Sequence, residues 1–375
     1  MIKKIILSVF TLAILVACSS DDSSSGATSD GFDRQAMLTN WADNIIIPAL
    51  QDLSGDLAML TAAKDAFVAA PDQTTLDAVR SSWLEAYKTW QYVEMFDIGK
   101  AEELEYWKQM NIYPTNVTNI QNNISSGSGS YNLASPSNNA SVGFPAVDYL
   151  LYGIASSDIE ILNIYTNSSN FESNKTYLSN LIDRMQSLTD LILNDWTSNY
   201  RTTFINGTAN TATSSVNKIV NDFNFYYEKG LRANKFGIPS GVFSTTPFND
   251  KVEAFYNQDV SKDLALEAFK AVQDFFNGEA YDNSSQGLSF KDYLDYLNTI
   301  KNGEDLNLLI NNQFDIAETK IQTLNNNFSL QIETDNTKML ETYDEIQKAV
   351  VLLKVDMMVA FQVAIDDGYD DNDGD

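Results

Sequence analysis

Apolar residues recur at spacings of three and four along most of this chain, the signature of helices that bury one face. Residues 34–50 carry Met37, Leu38, Trp41, Ile45 and Ile46 on one side, with Pro48 placed to bend or end the helix. A second helix over 53–70 follows, and the turn at Pro71-Asp72-Gln73-Thr74 leads into a third, capped by Thr74 or Thr75. That third helix, read over 76–98, aligns Val79, Trp83, Tyr87, Trp90, Glu94 and Asp97 on nearly one stripe. Further helices are predicted over 102–110, 157–165, 171–197, 212–228, 262–276, 290–300, 306–328 and 339–361, and a short element over 250–256. The last long stripe, Met339, Tyr343, Ile346, Val350, Leu353, Met357 and Phe361, is what a bundle helix requires. Almost nothing alternates with period two. The expectation is an all-α protein of two helical-bundle halves packed together, 33–155 and 156–365.

Two stretches break the pattern. Residues 121–142 are rich in Ser, Asn and Gly and read as a long central loop beside the first bundle. The segment 230–249 contains three glycines and two prolines and reads as a loop. It clusters Lys229, Arg232 and Lys235 at its start, unusual for this chain. Between them, 143–153 (Gly-Phe-Pro-Ala-Val-Asp-Tyr-Leu-Leu-Tyr-Gly) turns sharply and sets one carboxylate, Asp148, in an apolar and aromatic run. It reads either as a site or as a rigid corner on which two helical units pack.

The two ends are not part of the fold. Residues 1–17 combine Lys3-Lys4 with an apolar core from Ile5 to Val16, too short for an ordinary membrane span, and read as a signal peptide. The chain's one cysteine, Cys18, follows Leu-Val-Ala as in a lipobox, which makes it the expected lipidation site and the membrane anchor. Residues 18–32 are then a polar tether, and 366–375 an acidic tail that ends before an EF-hand geometry is complete. The expected address is the outer membrane, facing either the surface or the periplasm. With no second cysteine, the mature fold needs no disulfide.

Charge and composition narrow the chemistry. The chain has 24 basic and 51 acidic side chains, a net −27, which excludes nucleic acid as a partner. It has no histidine, so Ser-His-Asp triads, HExxH zinc sites and imidazole ligands are excluded. An oxygen-only site for a divalent cation stays open. Glu94 and Asp148 are the acids to test as metal ligands. The stripe that runs from Tyr87 and Trp90 into Glu94 reads equally as a core edge with a solvated end.

These residues carry a resemblance. The chain resembles the imelysin family, also called peptidase M75-like, over roughly 33–375. The family hallmark is Gly-x-His-x-x-Glu leading to a closing glycine. Gly143 matches the first glycine and Gly153 the last; Pro145 stands at the histidine position and Asp148 at the glutamate position. Residues 83–94 resemble the family's Trp-aromatic-Glu helix, 228–244 (EKGLRANKFGIPSGVFS) the central segment of a Bacteroides lipoprotein branch, and 372–375 the acidic ending. The CSSDD opening also resembles a surface-export signal of that group.

The resemblance implies two helical halves with a site in the cleft between them, a proposed metal or iron connection, and a peptidase label. Pro145 has neither a base nor a backbone N–H to offer, so the peptidase chemistry is not expected here. The expected function is non-enzymatic binding of a metal, iron or another small ligand. Tyr87, Trp90, Glu94, Gly143, Pro145, Asp148, Tyr149, Arg232 and Lys235 would line the site. The alternatives are a structural or protein-interaction lipoprotein and a metal-dependent peptidase.

Overall fold

Helix starts here are set by short polar side chains that take up otherwise unpaired backbone N–H groups. Asp72 accepts from the Thr75 amide, and Thr75 reciprocates in a capping box, so the cap falls two residues before the predicted threonine. Asn116, Ser157, Ser214, Ser289 and Asn327 cap later helices in the same way. The protein, a computed structural model, is described over residues 30–127 and 129–364. The predicted signal peptide, Cys18, nearly all of the 18–32 tether and the 366–375 tail lie outside the described residues. Among the described residues the fold is almost wholly helical; its one paired ladder is the hairpin Ile300–Lys301 with Glu304–Asp305.

Several predicted breaks are continuous. The first helix runs from Arg34–Asn40 through a π-helical segment, Trp41–Ile46, into Ile47–Ala69, and Pro48 does not end it. A proline leaves the carbonyl four residues back without its helical donor. Here that carbonyl, of Asn44, accepts from the Tyr281 amide at 2.8 Å, so the opposite half completes the helix. The expected 121–142 loop contains the helix Val117–Ser126, whose Ile120 and Ile124 bury one turn apart, and a 3₁₀ segment, Pro136–Ser141.

The expected basic loop after residue 230 is also helical. Ser215–Phe225 continues as a π segment, Tyr226–Gly237, then Ile238–Ser240, and stops at Gly241 with φ +84°. Gly230 is there for packing: a Cβ would lie 2.5 Å from the Tyr226 ring. In the other direction, the helix predicted to 98 ends at Trp90, and 250–256 is turn rather than helix.

Two bundle-like regions pack together. One is built on Ile47–Ala69, Gln73–Trp90 and Phe171–Asp195; the other on the Ser215–Gly237 run, Ser261–Asn277, Leu306–Gln322 and Phe328–Val350. Asp158–Thr166 and Phe171–Asp195 therefore belong with the first region, although the sequence boundary at 155 assigns them to the second. The N-terminal turns cross to the second region. Asn40 donates to the carbonyls of Gly278 and Leu288, and the Trp41 ring stacks 4.8 Å from Phe275.

The 143–153 segment is a corner fixed by close approach. Gly143 has φ +72°, and a Cβ there would sit 2.1 Å from the Met110 carbonyl oxygen. Pro145 lies in the first turn of Gly143–Asp148, where its missing N–H leaves no helical bond unmade. The Phe144 ring stacks on Tyr87 at 4.4 Å and 3°, and its carbonyl accepts from the Trp83 indole. A side chain at 143 would have to push this layer apart. Gly143→Ala is expected to cost on the order of 3 kcal/mol in urea unfolding. Gly127→Ala, also at positive φ but with nothing within 4 Å, should cost distinctly less; equal losses would show that the approach to Met110 is relaxed.

Candidate functional site

Where the two regions meet, an ammonium group is sealed among oxygens. Lys235, from the π segment Tyr226–Gly237, is 2 % exposed, and its Nζ lies 2.5 Å from Glu253 Oε2 and 2.7 Å from Gln91 Oε1. Gln91 Nε2 donates to Glu253 Oε1 at 3.2 Å, and Asn111 Nδ2 donates to the same oxygen and to Glu94 Oε1, both at 2.9 Å. The Tyr87 hydroxyl closes the network onto Asn111 Oδ1 at 2.5 Å. Gln91, Glu94 and Asn111 come from the first region; Lys235 and Glu253 come from the second.

Glu94 Oε2 is out of reach of solvent and makes no hydrogen bond of ordinary geometry, but the Trp90 indole N–H and the Tyr226 hydroxyl both interact with the Glu94 carboxyl. Glu94 sits on the wall of a cavity of about 30 Å³, lined also by Asp97, Trp107, Asp222, Phe225, Tyr226 and Lys229. That volume holds one water or one small cationic head. Burial pushes the Glu94 carboxyl up to about 7; the Lys235 ammonium opposes the shift and the Glu253 carboxylate adds to it. Burial likewise raises Asp97 to about 6.

Asp148 stands elsewhere. It is 1 % exposed, and its two oxygens accept from the backbone amides of Tyr256 and Asn257 at 2.8 and 2.9 Å. It thus pins the 143–153 corner to the chain just after Glu253. Burial lifts it to about 7 in spite of those two donors. Asp148 and Pro145 face a separate cavity of about 120 Å³ with Tyr113, Asp250 and Tyr256. Tyr149 packs edge-on to Tyr256 and accepts from Gln121.

The predicted residues therefore divide. Tyr87, Trp90, Glu94 and Lys235 converge on the ammonium network. Gly143, Pro145, Asp148 and Tyr149 form the neighbouring corner. Arg232 is fully buried but turns away, bonding the Tyr343 hydroxyl at 3.0 Å and the Gln347 side chain, beneath the ring of Phe243. Glu94 and Asp148 line different cavities, and among the described residues no group of three acids or cysteines is placed to hold a metal ion. Gln91, Asn111, Tyr226 and Glu253 were not singled out from sequence. Glu253 carries the one usable signal, a lone acid between Val252 and Ala254-Phe255.

Two carboxylates against one ammonium make the network sensitive to pH. Glu94, Asp148 and Asp97 all have folded values above their ordinary ones, so each stabilises the fold most at low pH, below its unfolded value. That contribution is lost as pH rises through about 6 to 7. Thermal stability is expected to fall between pH 5 and pH 8, and Glu94→Gln should flatten the fall. An unchanged slope in the Gln variant would show that Glu94 does not titrate in this range.

The family profile of imelysin (peptidase M75) matches residues 46–353. Two crystal structures share the fold. One, at TM-score 0.68 and 17 % identity, covers 89 % of this chain and 97 % of its own; it is of a protein described as an iron-regulated protein A precursor, from Parabacteroides distasonis ATCC 8503. The other is an imelysin-like protein from Psychrobacter arcticum 273-4, at TM-score 0.67 and 16 % identity, with the same coverages. At these identities they speak for the fold alone. No curated protein sequence matches the chain. The family profile spans most of the chain and the two-region helical fold agrees with it, so the chain belongs to the imelysin family.

Proposed function

We propose that this protein is a non-enzymatic binding lipoprotein of the outer membrane, acylated at Cys18, that receives a small cationic group at Glu94 between its two helical regions. The observation that carries the reading is the buried Glu94 carboxyl on the wall of a small cavity with aromatic lining. Above its raised pKa the buried Glu94 carries a charge that a cationic head in the cavity would meet. Trp107, Phe225 and Tyr226 give the cavity an aromatic lining, the kind of surface that attracts an ammonium head.

A divalent metal fits the residues less well. Glu94, Asp97 and Asp222 all line the cavity, yet among the described residues no three acids are grouped to hold an ion, and the Lys235 ammonium is close enough to lower Glu94's pKa. The three carboxyl groups do not converge as the oxygens around a calcium or iron ion do. Peptidase action is disfavoured for the same reason and by Pro145 at the motif's histidine position. The Parabacteroides relative is described as iron-regulated, which names no site in that protein.

A second reading has its own support. Tyr87 and Trp90 are wholly buried and Lys235 is nearly so, which suits a strut that only joins the two regions. Titration separates the two readings. Methylammonium is expected to bind the full-length protein at pH 8, at least tenfold more weakly at pH 6 where Glu94 is protonated, and undetectably in Glu94→Gln. Equal calorimetric traces for wild type and the Gln variant would leave the strut reading standing. Binding of Ca²⁺ or Fe²⁺ in preference to methylammonium would restore the metal.

A further inference from the structure

The last helical run changes character along its solvent face. Exposed positions on it read Asp344, Lys348, Val351, Val355 and Val359. The three valines are 46, 53 and 71 % exposed, on successive turns. From 349 to 364 the run carries two charges, and both are paired to the protein: Lys354 with Glu228 at 3.0 Å and Asp356 with Lys301. A helix apolar on every side is ordinarily buried on every side. This one is buried on the inside through Leu353, Met357 and Phe361 and open on the outside.

Neighbouring apolar side chains extend the patch. Gln313 donates to the Glu345 carbonyl and Lys301 bonds Asp356, so the helix starting at Leu306 runs antiparallel to this one. Leu308, 54 % exposed, and Ile300, 51 % exposed, consequently lie along the valine turns.

The patch stands at the root of the tether. The Phe361 ring, two residues after Val359, stacks 4.5 Å from Tyr293. The Tyr293 hydroxyl bonds Asp30 Oδ2 at 2.5 Å, and Tyr296, half exposed, bonds the Asp30 carbonyl. Asp30 is twelve residues from Cys18, a length that spans at most roughly 40 Å. Residues 19–29 and 366–375 are rich in Ser, Asp and Gly, with Ile365 just ahead of the second stretch.

We propose that the face formed by Val351, Val355, Val359, Ile300 and Leu308 rests on the lipid bilayer, seating the anchored protein in one orientation. The proposal rests on the lipoprotein reading for its tether argument. Its physics is that of an interfacial helix, with apolar side chains set into the headgroup boundary and an aromatic beside them. A second copy of the chain is the poorer occupant: five half-exposed side chains fall well short of the 20–30 residues and roughly 800 Å² per partner that a stable dimer buries. Glu304 and Asp305 at the exposed hairpin tip favour zwitterionic over anionic lipid.

The test uses the full chain in phosphatidylcholine vesicles, with Val355→Cys or Ile159→Cys carrying an environment-sensitive fluorophore; Ile159, 81 % exposed, is the control. The label at 355 is expected to be quenched at least twofold more than that at 159 by nitroxide lipids, and less so when phosphatidylglycerol replaces part of the phosphatidylcholine. Equal quenching at the two sites in acylated protein overturns the docking surface while leaving the anchor intact. Stronger quenching at 355 in protein whose mass shows Cys18 unacylated supports the surface and removes the anchor. Shielding of the 355 label that depends on protein concentration and not on lipid assigns the face to a second copy and overturns the proposal.

Discussion

A charged amine taken out of water costs free energy unless counter-charge and hydrogen bonds meet it. Lys235 meets that demand only because both helical regions contribute. Glu253 supplies the counter-charge from its own region, while Gln91 and, through Asn111, Tyr87 and Glu94 approach from the other. Separating the regions would leave Glu253 and Lys235 to each other and expose Gln91 and Asn111 to an unmade set of bonds. The network therefore fixes how the two halves sit, and the position of Glu94 follows from it. The same arrangement makes Asn111 share one amide nitrogen between two carboxylates, Glu94 and Glu253.

How much of this is legible in sequence depends on the range over which a residue's role is decided. Helical periodicity is local, and it correctly yields an all-helical chain with buried stripes such as Val79-Trp83-Tyr87-Trp90. Breaks were misjudged where a distant group repairs them. Pro48 reads as a terminator until Tyr281, more than two hundred residues on, donates to the Asn44 carbonyl. Gly230 reads as a loop residue until Tyr226 is seen packed over it. Serine and asparagine at 117–126 read as slack because their propensity outweighs two isoleucines one turn apart, which burial then favours. The site was half legible for the same reason. Aromatic and charged residues on a helical stripe draw attention, whereas Gln91 and Asn111, uncharged and unremarkable in sequence, carry bonds that only the assembled halves define.

The glycine-to-glycine corner over 143–153 is set by contact rather than by catalytic groups of its own. Gly143 and Gly153 are still required by contact, against the Met110 carbonyl and the Tyr256 ring. Asp148 still has work, accepting two backbone amides from the segment that carries Glu253. The corner is thus a geometric support for the network next to it. An acid held by two amides serves this purpose without a metal, and Pro145 at the first helical turn stiffens the entry.

The π segment Tyr226–Gly237 explains why two cations three residues apart serve different surroundings. On an α-helix, residues i and i+3 share a face. Winding with i→i+5 bonds turns the chain less per residue, so Arg232 and Lys235 no longer project together. Arg232 reaches Tyr343 and Gln347 on the long C-terminal helix, and Lys235 reaches Gln91 and Glu253 at the junction. That C-terminal helix is held from within by Glu228 through Lys354, one helical turn before Arg232. One irregular stretch of backbone therefore orders both the charged junction and the helix that carries the exposed valines. A change in its winding would reach both at once.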